Sequence, residues 1–271
     1  MTSSSKNVYL GENSVQKHPK FSEKFNNLIK YLLTGEGFGE YEKEENLFRF
    51  FLRKPIPFKT ICKILQLTSK KYISSPTVLE TKDENLNRVI KYTLKQIELN
   101  KVFGSNRRMQ YYYDLIQCFI KGRLKNKKLL IIGPKFITEL FLSWTYGFKW
   151  KNIYAIDLIS NHPKIKLMDA DNLKFKNLKF DAISMANVFG YNKDPHKCIE
   201  GISKSLNKDG VLVFNSSQFK NPLEKTPLSA TLSDDDINNL LKKNFFNVIS
   251  REIVKENESA ISVVWVARKL S

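Results

Sequence analysis

Lys127-Lys128-Leu129-Leu130-Ile131-Ile132-Gly133 is the stretch whose reading decides the fold. Two lysines open an apolar run without alternation, which ends in glycine. Such a run suits a strand buried on both faces, as in a parallel sheet covered by helices. Ile137–Tyr146 follows with a helical pattern, and Asn152-Ile153-Tyr154-Ala155-Ile156-Asp157 reads as a second strand ending in an acid. Residues 165–168 form a short third strand, Phe180–Met185 a fourth, and residues 195–206 a helix. Lys208-Asp209-Gly210 reads as a turn into a strand over 211–214. Ser233 stands where it would cap a helix over Asp234–Lys243, whose first turn holds three acids at the positive end of the macrodipole. Residues 248–254 and 260–267 close the chain as adjacent strands. Strand alternating with helix predicts a doubly wound α/β sheet, with an antiparallel C-terminal hairpin at one edge.

Upstream the rhythm is helical. Phe21, Phe25, Leu28, Ile29, Leu32 and Leu33 recur at spacings of three and four, and further apolar blocks lie over 47–52 and 61–67. Leu86, Val89, Ile90, Leu94 and Ile97 make a fourth block, and Tyr111 through Ile120 a fifth. The expected organisation is a flexible start over 1–19, an all-helical region over 20–125 that caps or binds substrate, and the sheet domain over 126–271. Gly35-Glu36-Gly37-Phe38-Gly39 lacks a preceding strand and a following Lys-Ser/Thr, so it reads as a connector, not a phosphate loop. Residues 58–72 have the length of a helix-turn-helix but no turn glycine.

The chain of 271 residues has 42% hydrophobic and 27% charged residues, enough for a core and too apolar for a disordered tail. No apolar run approaches the ~18 residues of a spanning helix, and the polar start is not expected to act as a secretory signal. Cys62, Cys118 and Cys198 form no CxxC pair and read as reduced packing residues, which suggests a cytoplasmic protein. The net charge is +18, carried by 37 Lys and only 8 Arg. Arg is the residue suited to bidentate phosphate and base contacts, so a solvated basic surface is favoured over nucleic-acid binding. His18 and His162 have no metal-ligand companions, and no metal site is expected.

In a doubly wound sheet, ligands bind outside the carboxyl ends of the strands. Gly133 ends the first strand and lets a ligand approach the backbone. Asp157 ends the second, where a carboxylate can accept both hydroxyls of a ribose. This order suits an adenosine-containing cofactor and does not by itself separate nicotinamide dinucleotides from S-adenosylmethionine, although GxGxxG is absent.

Three further segments are Asp169-Ala170-Asp171-Asn172-Leu173-Lys174-Phe175, Phe180-Asp181-Ala182-Ile183-Ser184 and Leu206-Asn207-Lys208-Asp209-Gly210-Val211-Leu212. With them the chain, over residues 127–254, resembles the class I S-adenosylmethionine-dependent methyltransferases, most closely the type 11 group. The resemblance implies a Rossmann-like methyltransferase sheet with S-adenosylmethionine as cofactor. It puts Asp169 and Ala170 beside the adenine and Gly133, Pro134, Lys135, Asp157, Leu158 and Asn187 around the rest of the cofactor. The loop Gly133-Pro134-Lys135 has one glycine where the family has two or three, and only residues 158–164 join the second strand to the third. Both features are similar to a subgroup with a glycine-proline-arginine signature, in which Lys135 would pair with the methionine carboxylate.

Methyl transfer needs positioning more than a nucleophile, so catalytic residues are hard to read. Tyr191, Asp194 and His196 follow the fourth strand, where substrate should enter. Asp194 or His196 suits a general base, while Asp194-Pro195 equally reads as a helix cap. The acceptor expected is a small or saccharide-like molecule. A nucleic-acid acceptor on the basic N-terminal half, and a non-catalytic scaffold with a decayed cofactor loop, are the alternatives.

Overall fold

A computed structural model of the chain describes residues 76–98, 107–135, 137–160, 162–219, 232–256 and 260–270. The start over 1–19, the first three helical blocks, the glycine-rich stretch at 35–39, the 58–72 segment, His18 and Cys62 lie outside the described residues.

The elements in chain order are β1 (Thr77–Val78), α1 (Glu84–Glu98), α2 (Arg107–Phe119), β2 (Leu129–Ile132), α3 (Ile137–Tyr146), β3 (Ile153–Asp157), β4 (Ile159–Ser160), β5 (Ile165–Leu167), β6 (Phe180–Met185), α4 (Pro195–Ser205), β7 (Leu206–Phe219), α5 (Asp234–Lys243), β8 (Phe246–Glu256) and β9 (Ala260–Lys269). Seven strands form one sheet in the order β5-β3-β2-β6-β7-β9-β8. The first five are parallel, and β9 runs antiparallel to both β7 and β8. The chain winds outward from β2 to β5 and then returns to β6, so the switch point lies between β2 and β6. That is the position at which doubly wound sheets bind ligands.

β2 is apolar throughout because both of its faces are covered. Leu129 and Ile131 pack with Tyr112, Tyr113 and Ile116 of α2 and with Leu140, Phe141 and Trp144 of α3. Leu130 and Ile132 face the other way, into Ile199 and Ile202 of α4 and Leu240 and Leu241 of α5. α2 therefore shares the sheet's core, and the packed unit reaches upstream of residue 126 to residue 107. Ser233 caps α5 as expected, in a capping box with Asp236.

The short second crossover is as expected, and two local expectations change. The crossover from β3 to β5 has no helix, and β4 within it pairs antiparallel with β1, far upstream in the chain. Asn207–Gly210 are not a turn before the strand but an excursion within β7, since Phe180 pairs with Leu206 and Ala182 already with Val211. Asp209 takes a φ of 61° there. Cys198 is buried as a packing residue, but Cys118 is exposed on α2. Among the described residues, no helix is long and apolar enough to cross a membrane.

Candidate functional site

A pocket of about 890 Å³, including its open mouth, lies at the carboxyl ends of β2, β3 and β6. Of the residues expected around a cofactor, Gly133, Lys135, Asp157, Leu158, Asp169, Ala170 and Asn187 line it together, with Tyr191 beside them. Pro134 is buried and does not line it.

Gly133 stands at φ +74°, and a Cβ there would meet Val188 Cγ2 at 2.1 Å. Glycine is required by conformation and by close approach at once. Lys135 also sits in the left-handed region, at φ 58°, where a side chain costs roughly 1–2 kcal/mol. Its backbone N–H donates to Asp157 Oδ2 at 2.7 Å, and the N–H of Ile159 donates to Oδ1 at 3.2 Å. The carboxylate is thus oriented by the backbone of its own strand end and of the β2 loop, and each oxygen keeps acceptor capacity for a ligand. Burial pushes Asp157 up to about 6, against the N–H groups of Lys135, Ile159 and Leu158 and the Lys135 ammonium, which all hold it down. Burial likewise lowers the Lys135 ammonium, while Asp157 and Glu139 raise it.

Asn187 has a φ of 55°, and its N–H donates to Asn215 Oδ1 at 2.6 Å while Asn215 Nδ2 donates to Asn187 Oδ1 at 3.2 Å. β7 thereby holds the loop that follows β6. Asp171 ties the same loop down, accepting from Asn192 Nδ2 at 2.6 Å and from the Asp194 N–H at 2.8 Å. Tyr191 faces Tyr92 of α1 at the mouth, with ring centroids 5.9 Å apart. Burial first, then Tyr92, pushes the Tyr191 hydroxyl well up, so it stays protonated. Leu86, Val89 and Thr93 of α1 complete that wall. Asp83 caps α1 through the N–H groups of Asn85 and Leu86 and pairs with Lys193 at 2.7 Å, fastening the helix to the loop after β6.

The two proposed general bases are not in this pocket. Asp194 caps α4, accepting from the Lys197 N–H at 3.0 Å and pairing with its ammonium at 3.2 Å. Those donors hold its carboxyl below the usual carboxylate range. His196 is exposed on α4, outside the pocket lining. Among the described residues, no group of three His, Cys, Asp or Glu side chains could hold a metal ion.

Sequence reasoning missed Glu139, buried in α3 with Tyr113 Oη donating to its Oε1 at 3.1 Å. Its signal was that it is the one charged residue in the helix Ile137–Tyr146. Burial raises it from its ordinary 4.5 to about 7, with Asp157 adding to the rise and Tyr113 and Lys135 opposing it. The folded protein therefore keeps a proton that the unfolded chain has released, and stability falls as pH climbs from about 4.5 to about 7. Glu139→Gln is expected to flatten that fall and to raise the thermal midpoint at pH 8. Melting curves between pH 5 and 8 check it, and an unchanged slope would show the carboxyl is not the titrating group. The α1 wall and Asn215 were also missed, since neither carries a local motif.

A Rossmann-like sheet whose strand ends present a tight glycine and an oriented acid defines an adenosyl-cofactor-binding fold. A family model described as a methyltransferase domain matches residues 107–254, more than half of the chain. The chain belongs to this methyltransferase family, the class I S-adenosylmethionine-dependent enzymes. No curated protein matches it. The fold is similar to magnesium protoporphyrin IX methyltransferase from Synechocystis PCC 6803 with bound SAH, at 12% identity and a TM-score of 0.52 over 69% of this chain and 100% of that one. It is also similar to an S-adenosylmethionine-dependent methyltransferase from Clostridium acetobutylicum ATCC 824, at 15% identity and a TM-score of 0.48 over 68% and 100%. Phosphoethanolamine N-methyltransferase 2 from Haemonchus contortus matches at 12% identity and a TM-score of 0.48 over 59% and 53%. At 12% identity the likeness to the Synechocystis structure speaks for the fold alone.

Proposed function

We propose that this enzyme methylates a small, ring-bearing or saccharide-like acceptor that enters beside the paired rings of Tyr92 and Tyr191. The residues of the pocket suit the cofactor: Gly133 leaves the β2 loop bare, Asp157 offers a preset acceptor pair for ribose hydroxyls, and Asp169 and Ala170 wall the adenine end. Lys135 offers an ammonium to the methionine carboxylate. S-adenosylmethionine supplies a methyl group already activated on its sulfonium. The chain's own task is to orient the acceptor, exclude water and accept a proton where the acceptor releases one.

The observation that carries the acceptor class is the roof of the pocket. α1 lies across it, fastened by Asp83 to Lys193, and its Tyr92 ring packs on Tyr191 so that the pair presents an aromatic edge to the pocket. Aromatic faces receive a planar ring or the apolar face of a sugar. Tyr92→Ala is expected to raise the acceptor KM about tenfold, since losing one aromatic contact costs roughly 1–1.5 kcal/mol, while S-adenosylmethionine affinity stays within twofold. A panel of small acceptors assayed by release of the demethylated cofactor tests this. Turnover of RNA in preference to every small molecule would overturn the acceptor class, and absence of cofactor binding in the folded protein would favour the scaffold alternative.

A further inference from the structure

The opposite end of the sheet carries a second concavity. A groove runs along α4, between it and α5, and opens at the amino ends of β6 and β7. Lys179, Lys204, Lys208, Lys243 and Lys269 line it against a single carboxylate, Glu200, which already pairs with Lys204. Lysines in the last turn of a helix answer its macrodipole, and that accounts for Lys204 and Lys243. Lys179, which precedes β6, and Lys269, at the end of β9, serve the same helix ends from outside, donating to the Lys204 and Asn244 carbonyls, which leaves Lys208 in the β7 excursion without that role.

Lys269 is the telling residue. It is only 7% exposed, and its ammonium donates to Ser203 Oγ at 2.8 Å and to the Asn244 carbonyl at 3.3 Å, both uncharged. Burial and the neighbouring Lys179 hold it below the usual lysine value. The helix-end carbonyl carries only a partial negative charge, so five ammoniums stand around the groove against one carboxylate, an excess that an anion would offset. Above it stands Phe245, 60% exposed at φ 62°, with the Lys269 ammonium 4.8 Å from its ring centroid. One face of the ring is held by the cation and the other is open.

We propose that this groove is a second ligand site, which takes the phosphates of a nucleotide on Lys208, Lys243 and Lys269 and stacks the base on Phe245. Lysine serves phosphate as a point charge, and an aromatic platform beside a basic groove accepts any base by its π face. The ligand is a free nucleotide or a nucleotide of a single RNA strand, which share this chemistry. The site is separate from the cofactor pocket, at the other ends of the same strands, and does not depend on the proposed acceptor.

The test uses the full chain with three probes: UDP, inorganic diphosphate, and a fluorescein-labelled eight-nucleotide oligouridine RNA. The double substitution Lys208→Glu with Lys243→Glu is expected to weaken UDP and RNA at least tenfold. Phe245→Ala is expected to weaken both several-fold and to leave diphosphate unchanged. All three positions are exposed, so unchanged melting and unchanged S-adenosylhomocysteine affinity confirm an intact fold. RNA binding at least tenfold tighter than UDP assigns the site to a strand, and equal affinities assign it to the free nucleotide. Absence of binding by every probe, binding indifferent to the lysine pair, or diphosphate binding as tightly as UDP would overturn the proposal.

Discussion

Asp157→Ala is expected to weaken S-adenosylmethionine binding by roughly 100-fold, corresponding to about 3 kcal/mol at two charge-assisted hydrogen bonds. Part of this loss comes from the loop, because the N–H groups of Lys135 and Ile159 lose the acceptor they share. Asp157→Asn separates the two effects, since it keeps one oxygen acceptor and removes the charge. With the carboxyl raised to about 6, a proton competes with the cofactor as pH falls through that value, so the parent's affinity should drop below about pH 6. In Asp157→Asn the pH dependence should vanish. Calorimetry with S-adenosylmethionine and its demethylated product between pH 5 and 8 reads both results. Parent-like affinity in Asp157→Ala would remove this carboxylate from the cofactor site.

Gly133→Ala carries the largest expected loss of stability, about 3 kcal/mol. A left-handed backbone costs a side chain roughly 1–2 kcal/mol, and forcing a methyl group into a packed position costs about 1–3 more. The neighbour that must yield is Val188, whose Cγ2 would lie 2.1 Å from the new Cβ. Adding Val188→Ala should recover the packing part and leave the backbone part, a coupling that urea denaturation of the single and double variants measures. If the double variant were no more stable than the single one, the close approach of the two loops would not be the cause.

Much of the fold was legible because its signals are local. The run from Leu129 to Ile132 is apolar at every position, and its shortness and closing glycine mark it as a strand covered on both faces. Ser233 and the three acids after it announce their helix through the hydrogen bonds and the dipole of its first turn. Gly133, Asp157 and Asp169 were legible as a set because strand ends in this topology converge on one pocket. Asp194 was ambiguous for a physical reason: capping a helix and abstracting a proton call for the same carboxylate, and only its bonds to Lys197 separate them. α1 was readable as an amphipathic helix, but its apolar stripe reads the same whether it covers a sheet or roofs a pocket.

The sequence by itself therefore determined the doubly wound sheet, the antiparallel edge and the acids and glycine at the strand ends, since periodicity and turn chemistry act over a few residues. Tertiary structure alone decided that Tyr92 meets Tyr191, that Glu139 is shut away against Tyr113, and that lysines from separate elements gather around Lys269. Periodicity states which face of an element is buried. What that face is buried against depends on packing between residues distant in the chain, and burial and neighbouring charge then set the chemistry of each side chain.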